Sequence, residues 1–177
     1  MKYAPTAALL AALLTLSQCK KDNADPLDKL PPATQTGANT FGCLINGQAW
    51  TPKGYNGAPN YSVSYDPSYR NGTLNVSAYR YTGTGANDFQ TVGFFSDSLR
   101  SIGSYPLTIV GHQEAVFIDL VTGCRFQSRD NHYRRGTLTI TRLDLQAGVI
   151  SGTFAFTLYK PGCDSIRVTN GRFDKKL

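Results

Sequence analysis

From Thr40 onward the chain alternates between apolar and polar positions. Tyr61, Val63 and Tyr65 are separated by serines, and Leu74, Val76 and Ala78 by Asn75 and Ser77. Val116, Ile118 and Leu120 flank Phe117 and Asp119, and Leu138 and Ile140 stand among threonines. Ile150, Gly152, Phe154, Phe156 and Leu158 make the longest run, and Ile166 and Val168 the last. A period of two on β-branched and aromatic residues predicts half-buried antiparallel strands. Between the runs lie Asn56-Gly57, Asp66-Pro67, Asn71-Gly72, Gly83 to Asn87 and Pro161-Gly162. These residues supply the positive or preset φ that turns need. No segment after Cys19 keeps the 3.6-residue period of a helix. The pattern predicts an all-β domain over residues 40–177, an antiparallel β-sandwich or flattened barrel of about eight to ten strands. Asp88 to Phe95 is the weakest strand, because Gly93 interrupts it.

The first 39 residues follow other rules. Lys2 precedes an apolar stretch from Ala7 to Leu16, which is long enough for a secretory signal and too short to span a bilayer. It ends in Leu16-Ser17-Gln18-Cys19, which resembles the bacterial lipobox, with Gln18 standing where Gly, Ala or Ser is usual. The resemblance implies removal of residues 1–18 and acylation of Cys19, whose acyl chains would hold the protein stably on a membrane. Lys20 follows in place of the aspartate that retains lipoproteins at the inner membrane, so the expected address is the outer membrane of the cell envelope, in either leaflet. Residues 19–39 turn polar and rich in Pro, Ala, Thr and Gly, which predicts a lipid-linked flexible tether.

Composition narrows the reading. Charged residues are 17% of the chain, below the globular norm of about 25%, and hydrophobic residues are 41%, which excludes a solvated disordered chain. The formal charge is +6, and removing residues 1–18, with Lys2 and no acid, leaves +5. Lys20 and Lys21 would then sit at lipid headgroups, so the basic balance does not point to nucleic acid.

Four motifs occur in order: Thr40-Phe41-Gly42-Cys43-Leu44-Ile45-Asn46-Gly47 running on to Trp50-Thr51-Pro52; Gly103-Ser104-Tyr105-Pro106-Leu107; Ser151-Gly152-Thr153-Phe154-Ala155-Phe156; and Thr169-Asn170-Gly171-Arg172-Phe173-Asp174. As a set they resemble a family of uncharacterised Bacteroidota lipoproteins, a domain of unknown function. That resemblance implies secretion, a lipid anchor and an all-β domain, and supplies no catalytic residues. Read for themselves, Asn46-Gly47 is a hairpin signature of type I′. Trp50 reads first as a core anchor, with a sugar-stacking platform as the functional alternative.

Three cysteines remain beside Cys19. In an oxidising compartment one disulfide is expected among Cys43, Cys124 and Cys163. Cys124–Cys163 is favoured, since both lie at strand ends beside turn residues, whereas Cys43 adjoins Leu44 and Ile45. No CxxC or HxxxH spacing exists, so no metal is expected, and no cofactor.

Signs of catalysis are sparse. His112 and His132 fall in polar loops, where exposure is expected, and no G-x-S-x-G motif accompanies them. Asp97, Glu114, Asp119 and Asp144 are the candidates for a hydrolytic carboxylate pair, but nothing in the spacing joins two of them. Asp119 is expected to point outward. The basic run Arg125, Arg129, Arg134 and Arg135 includes Phe126, His132 and Tyr133, and its compartment favours an acidic glycan or lipid headgroup over nucleic acid. Tyr61 and Tyr65, and Tyr79 and Tyr81, form pairs suited to a glycan or protein ligand, with Trp50 as a further candidate. Ser98 and Ser165, each between an Asp and an apolar residue, resemble O-glycosylation acceptors. The expected function is therefore a non-enzymatic binding or structural role in the envelope. The alternatives are a small carbohydrate-active or other hydrolase, and an assembly subunit acting through an open sheet edge.

Overall fold

The computed structural model describes residues 25–127 and 132–177. It is a sandwich of two antiparallel sheets. In chain order the strands are β1 (Thr40–Ile45), β2 (Gln48–Trp50), β3 (Tyr61–Asp66), β4 (Thr73–Tyr81), β5 (Phe89–Ser96), β6 (Gly103–Pro106), β7 (Thr108–Ile109), β8 (Gln113–Asp119), β9 (Arg125–Phe126), β10 (Tyr133–Asp144), β11 (Val149–Tyr159) and β12 (Ile166–Lys176). The first sheet runs β2-β1-β12-β11-β10-β6, and the second β3-β4-β5-β8-β7 with β9 beside β8. The two sheets do not close on each other, so the sandwich reading holds and the barrel reading does not. β2, β7 and β9, of two or three residues each, raise the strand count above the expected range. Pieces that short carry no readable alternation.

Local chemistry sets the register. Asn46 and Gly47 take φ of 49° and 81°, the left-handed pair that lets Ile45 face Gln48 across a two-residue turn. β5 forms in spite of Gly93, and sits in the middle of its sheet. Glycine is required there: a Cβ would stand 2.8 Å from the Val76 carbonyl oxygen of β4.

The inner faces meet in an aromatic core around Phe154. Its ring stacks on Phe41 at 5.2 Å and tilts against Phe94 at 4.9 Å, and Phe94 reaches Phe173 at 5.6 Å. Cys124 and Cys163 are disulfide-bonded, with Cα atoms 5.8 Å apart. Cys124 precedes β9 of the second sheet and Cys163 lies between β11 and β12 of the first, so the bond staples the two sheets together. Cys43 is a free thiol with no exposed surface.

The expected flexible tether differs most from what is seen. Cys19 to Ala24 lie outside the described residues, but residues 30–38 have fixed contacts on the domain. A 3-10 turn, Pro26–Lys29, is capped by Asp25, whose carboxylate accepts from the Leu27 N–H at 2.9 Å. Leu30 is buried behind it. Residues 34–38 then wrap around the carboxylate of Asp174 on β12. Oδ2 accepts from Thr34 Oγ1 at 2.7 Å, Thr36 N at 2.9 Å and Ala38 N at 3.0 Å. Oδ1 accepts from Gly37 N at 2.8 Å and Ser151 Oγ at 2.7 Å. The composition reads as a linker because the donors are mostly backbone N–H groups, which every sequence has. We call residues 30–38 the strap.

Candidate functional site

The aromatic side chains singled out in the sequence part into two groups. Trp50 belongs to the interior. It is 1% exposed, meets Phe41 edge-on at 5.9 Å, and donates from Nε1 to Gln90 Oε1 at 3.1 Å. The Arg80 guanidinium covers its ring at 5.8 Å. With 1% of it exposed, the ring offers no platform, and the sugar-stacking reading of Trp50 is corrected to that of a core anchor. Tyr61 and Tyr65 also point inward. Tyr65 is half-buried and donates its hydroxyl to the Leu99 carbonyl oxygen at 2.7 Å, tying β3 to the loop after β5. Tyr61 is 7% exposed and packs on Phe41 at 5.4 Å.

Tyr79 and Tyr81 lie on the opposite, outer face of the second sheet. Alternation along β4 sends Leu74, Val76 and Ala78 into the core, so the odd-numbered residues face out. Tyr81 pairs in register with Phe89 of β5, a residue the sequence reading did not single out. The three rings form one cluster, with Tyr79–Tyr81 at 6.0 Å, Tyr79–Phe89 at 6.4 Å and Tyr81–Phe89 at 5.7 Å. All three are half-buried. The surrounding outer positions on β3 and β4 are Ser62, Ser64, Asn75 and Ser77. The loop after β2 reaches this cluster. The Tyr79 hydroxyl accepts from Asn56 N at 3.2 Å and lies 2.8 Å from Asn56 Oδ1 and 2.7 Å from the Ala58 carbonyl oxygen. Tyr55, in the same loop, is 76% exposed. Three rigid rings with polar tips, fixed by a loop on a polar sheet face, suit flat contact with a sugar ring or a protein surface.

Two of the titratable candidates, Asp97 and His112, meet; Glu114, Asp119 and Asp144 lie with other partners. Asp97 is buried and its Oδ2 lies 2.7 Å from His112 Nδ1 and 3.9 Å from Arg70. His112 is otherwise exposed, as expected for a loop. Among the described residues no serine, threonine or cysteine bonds its imidazole. Glu114 and Arg134 form an ion pair at 3.4 Å with both side chains 7% exposed. Asp119 does not point outward: its Oδ2 accepts from Gln90 Nε2 at 2.9 Å and its Oδ1 from Val121 N at 2.9 Å. Trp50, Gln90 and Asp119 thus form one chain of hydrogen bonds near the disulfide. Asp144 accepts from Ala147 N at 2.8 Å and Arg142 at 2.8 Å, a turn role. His132 is half-buried and edge-on to Phe126 at 5.4 Å, against the exposure expected of it. With Phe126 in the core and Arg134 paired to Glu114, the basic run forms no single surface; Arg129 lies outside the described residues.

Three groups are shifted strongly: Tyr61, whose hydroxyl is pushed well up by burial and by the Asp174 charge, Asp174 and Cys43. Burial raises the Asp174 pKa, but hydrogen bonds from Ser151, Thr34, Ala38 and Thr36 outweigh it and hold the carboxyl well below the usual range. Burial pushes the Cys43 thiol up to about 12, against a smaller opposing effect of Arg80. No group of three or more potential metal ligands occurs among the described residues. Ser98, at φ 57°, and Ser165 are both exposed in loops. No protein-family model, curated protein or solved structure matches the chain.

Proposed function

We propose that the chain is a lipid-anchored protein of the cell envelope, acylated on Cys19 and held at the outer membrane. In this reading it binds a glycan through the outer face of its second sheet and carries out no catalysis. The signal, the lipobox-like Leu16-Ser17-Gln18-Cys19 and the four motifs resembling Bacteroidota lipoproteins support the address. The observation that carries the binding role is the Tyr79–Tyr81–Phe89 cluster, half-exposed on a polar face. Aromatic area left at a surface marks contact sites more often than polar strand positions do. By contrast, Asp97 and His112 pair with no hydroxyl or thiol bonded to the imidazole among the described residues, and Glu114, Asp119 and Asp144 have separate partners.

The experiment has two arms. Cys19→Ala should move the protein from the membrane to the soluble fraction; persistence in the membrane would refute acylation. The detergent-solubilised chain should bind on an array of bacterial polysaccharides, and Tyr81→Ala should abolish binding with an unchanged far-UV spectrum. A silent array would refute the glycan reading. A concentration-dependent dimer in size-exclusion chromatography would instead favour assembly through an open edge such as β3.

A further inference from the structure

The outer face of the first sheet is covered at one end and bare at the other. At the covered end Gly37 of the strap sits on Val149, and residues 34–38 close over Asp174 beside Ser151, so these outward residues are buried. Beyond the strap, the register sets the outward residues of β10, β11 and β12 in rows across the sheet. Thr139, Thr153 and Arg172 form one row, and Arg135, Thr157 and Arg167 another. Thr137 and Ala155 lie between the rows, and at the open end Tyr133 faces Tyr159, 52% and 49% exposed. The alternate residues Leu138, Phe154 and Val168 are in the core, which fixes the side to which the rows point. A shallow groove of about 460 Å³ runs over this face, with Ala33 of the strap as one wall and Thr137, Thr153, Ala155 and Arg172 among its lining.

The open charge on this face is of one sign. Arg135 and Arg167 are exposed, and neither guanidinium has a hydrogen bond or ion pair among the described residues. Arg172 donates from Nε to the Asn170 carbonyl oxygen at 3.2 Å and from Nη1 to the Pro31 carbonyl oxygen at 3.3 Å, which fixes the group and leaves Nη2 uncommitted. The carboxylates of the face, Asp144 and Asp174, stand at the covered end and are taken by Arg142 and by the strap. Asp164, in the turn after β11, lines a different cavity with Asp119. Arg135 and Arg167 are two strands apart, about 10 Å, and the row of Arg172 lies about 13 Å further along the strands. One small anion does not span such distances; a chain with charges at intervals does. Between the arginines, threonine hydroxyls and the small Ala155 admit close approach of a hydroxyl-rich chain, and the tyrosine pair offers rings on which a sugar can lie. We infer that this face binds an acidic polysaccharide lying along the strands, with its carboxylates on Arg135, Arg167 and Arg172. A bilayer would call for apolar side chains to bury, and rows of threonine supply none. The preference over nucleic acid rests on the envelope address proposed above. None of these residues belongs to the Tyr79–Tyr81–Phe89 cluster, so the two binding readings fail separately.

The test is calorimetry of the detergent-solubilised full chain with polygalacturonate, alginate and hyaluronate, each beside its carboxyl-reduced, neutral form. At least one acidic polymer should bind, more weakly as salt rises, and its neutral form should not. Arg135→Gln and Arg167→Gln should each weaken binding roughly tenfold and lower its salt dependence. Ala155→Glu, which sets a carboxylate in the floor of the groove, should abolish it. Arg125→Gln, an equal loss of charge on the second sheet, and Tyr81→Ala should leave it unchanged. The substituted arginines and Ala155 are exposed, so the far-UV spectrum should not change. No binding of any of the acidic polymers, equal binding of the neutral forms, or equal weakening by Arg125→Gln would each overturn the inference. Equal affinity for polyglutamate or double-stranded DNA would overturn it as well, by making the face a site for any polyanion. Loss of binding in Tyr81→Ala would overturn it too, and assign the polysaccharide to the second sheet.

Discussion

Asp174 is the residue whose loss the structure makes easiest to compute. It is 1% exposed and accepts five close hydrogen bonds, four from residues 34–38 and one from Ser151. Hydrogen bonds to a charged group contribute roughly 1.5–3 kcal/mol each, but they are not additive. In Asp174→Ala the strap can also leave and take its N–H groups to water. The cost is thus capped by the free energy of docking the strap plus an unpaired Ser151, about 3–5 kcal/mol, the range for removing one partner of a buried charged group. For a domain of this size that lowers the melting temperature by roughly 10–15 °C. Asp174→Asn should do nearly as badly, because its amide NH₂ replaces an acceptor and faces donors. Limited trypsinolysis reads the strap directly: Leu30 is buried in the native chain, so cleavage after Lys29 should become fast only in the variants. The pH dependence carries a sign. The folded pKa lies below its unfolded value of about 3.9, so the contribution is complete above that value and lost as the pH falls through the folded one. Stability should stay flat from pH 5 to 8 as far as Asp174 decides it, and Asp174→Asn should flatten the acid limb. If Asp174→Asn melts within 2 °C of the parent (about 1 kcal/mol) and keeps Lys29 protected, the clasp does not hold the strap.

Three further outcomes follow from the core. Phe154→Ala removes the ring shared by Phe41 and Phe94 and should cost about 3–5 kcal/mol in denaturant titration. Cys124→Ser opens a loop of 39 residues' separation and should cost up to about 4 kcal/mol by loop entropy, with a matching drop when the parent is reduced. Cys43, buried and with its pKa near 12, should react with maleimide at neutral pH only after unfolding; fast labelling of the native chain would contradict its burial.

Alternation made the sandwich legible. The alternating runs at 61–65, 74–78, 138–140, 150–158 and 166–168 fall on strands, whereas on β8 the inward set is Ala115 and Phe117, out of phase with the Val116-Ile118-Leu120 run. The sequence also separated Cys43 from the other two cysteines, because apolar neighbours mark a core position and turn residues mark an exposed end. It could not show that Tyr61 and Tyr79 face opposite sides of one sheet. That depends on the pairing of β3 with β4, which sets Tyr61 beside Ala78 and shifts the neighbouring tyrosine to the other face. Trp50 reads alike as anchor or platform until Gln90 and Arg80 are seen around it. Phe89 was missed because Gly93 hid the alternation of its strand.

The strap was illegible for a deeper reason, and it changes the geometry of the whole molecule. A segment rich in Pro, Ala, Thr and Gly has no apolar face to announce a docked state. Its docking is encoded elsewhere: in Asp174, some 140 residues away from Thr34, and in Gly42, where a Cβ would stand 2.7 Å from Pro31 Cδ. If Cys19 is acylated as proposed, a free tether reaching to Asn39 would let the domain stand about 70 Å from the bilayer, at the full reach of about 3.6 Å per residue. The burial of Leu30 against the domain leaves eleven steps from Cys19, about 40 Å at most. If Cys19 is acylated as proposed, the Asp174 clasp on residues 34–38 therefore limits the height of the sandwich above the membrane. Loss of the clasp would then restore the longer reach.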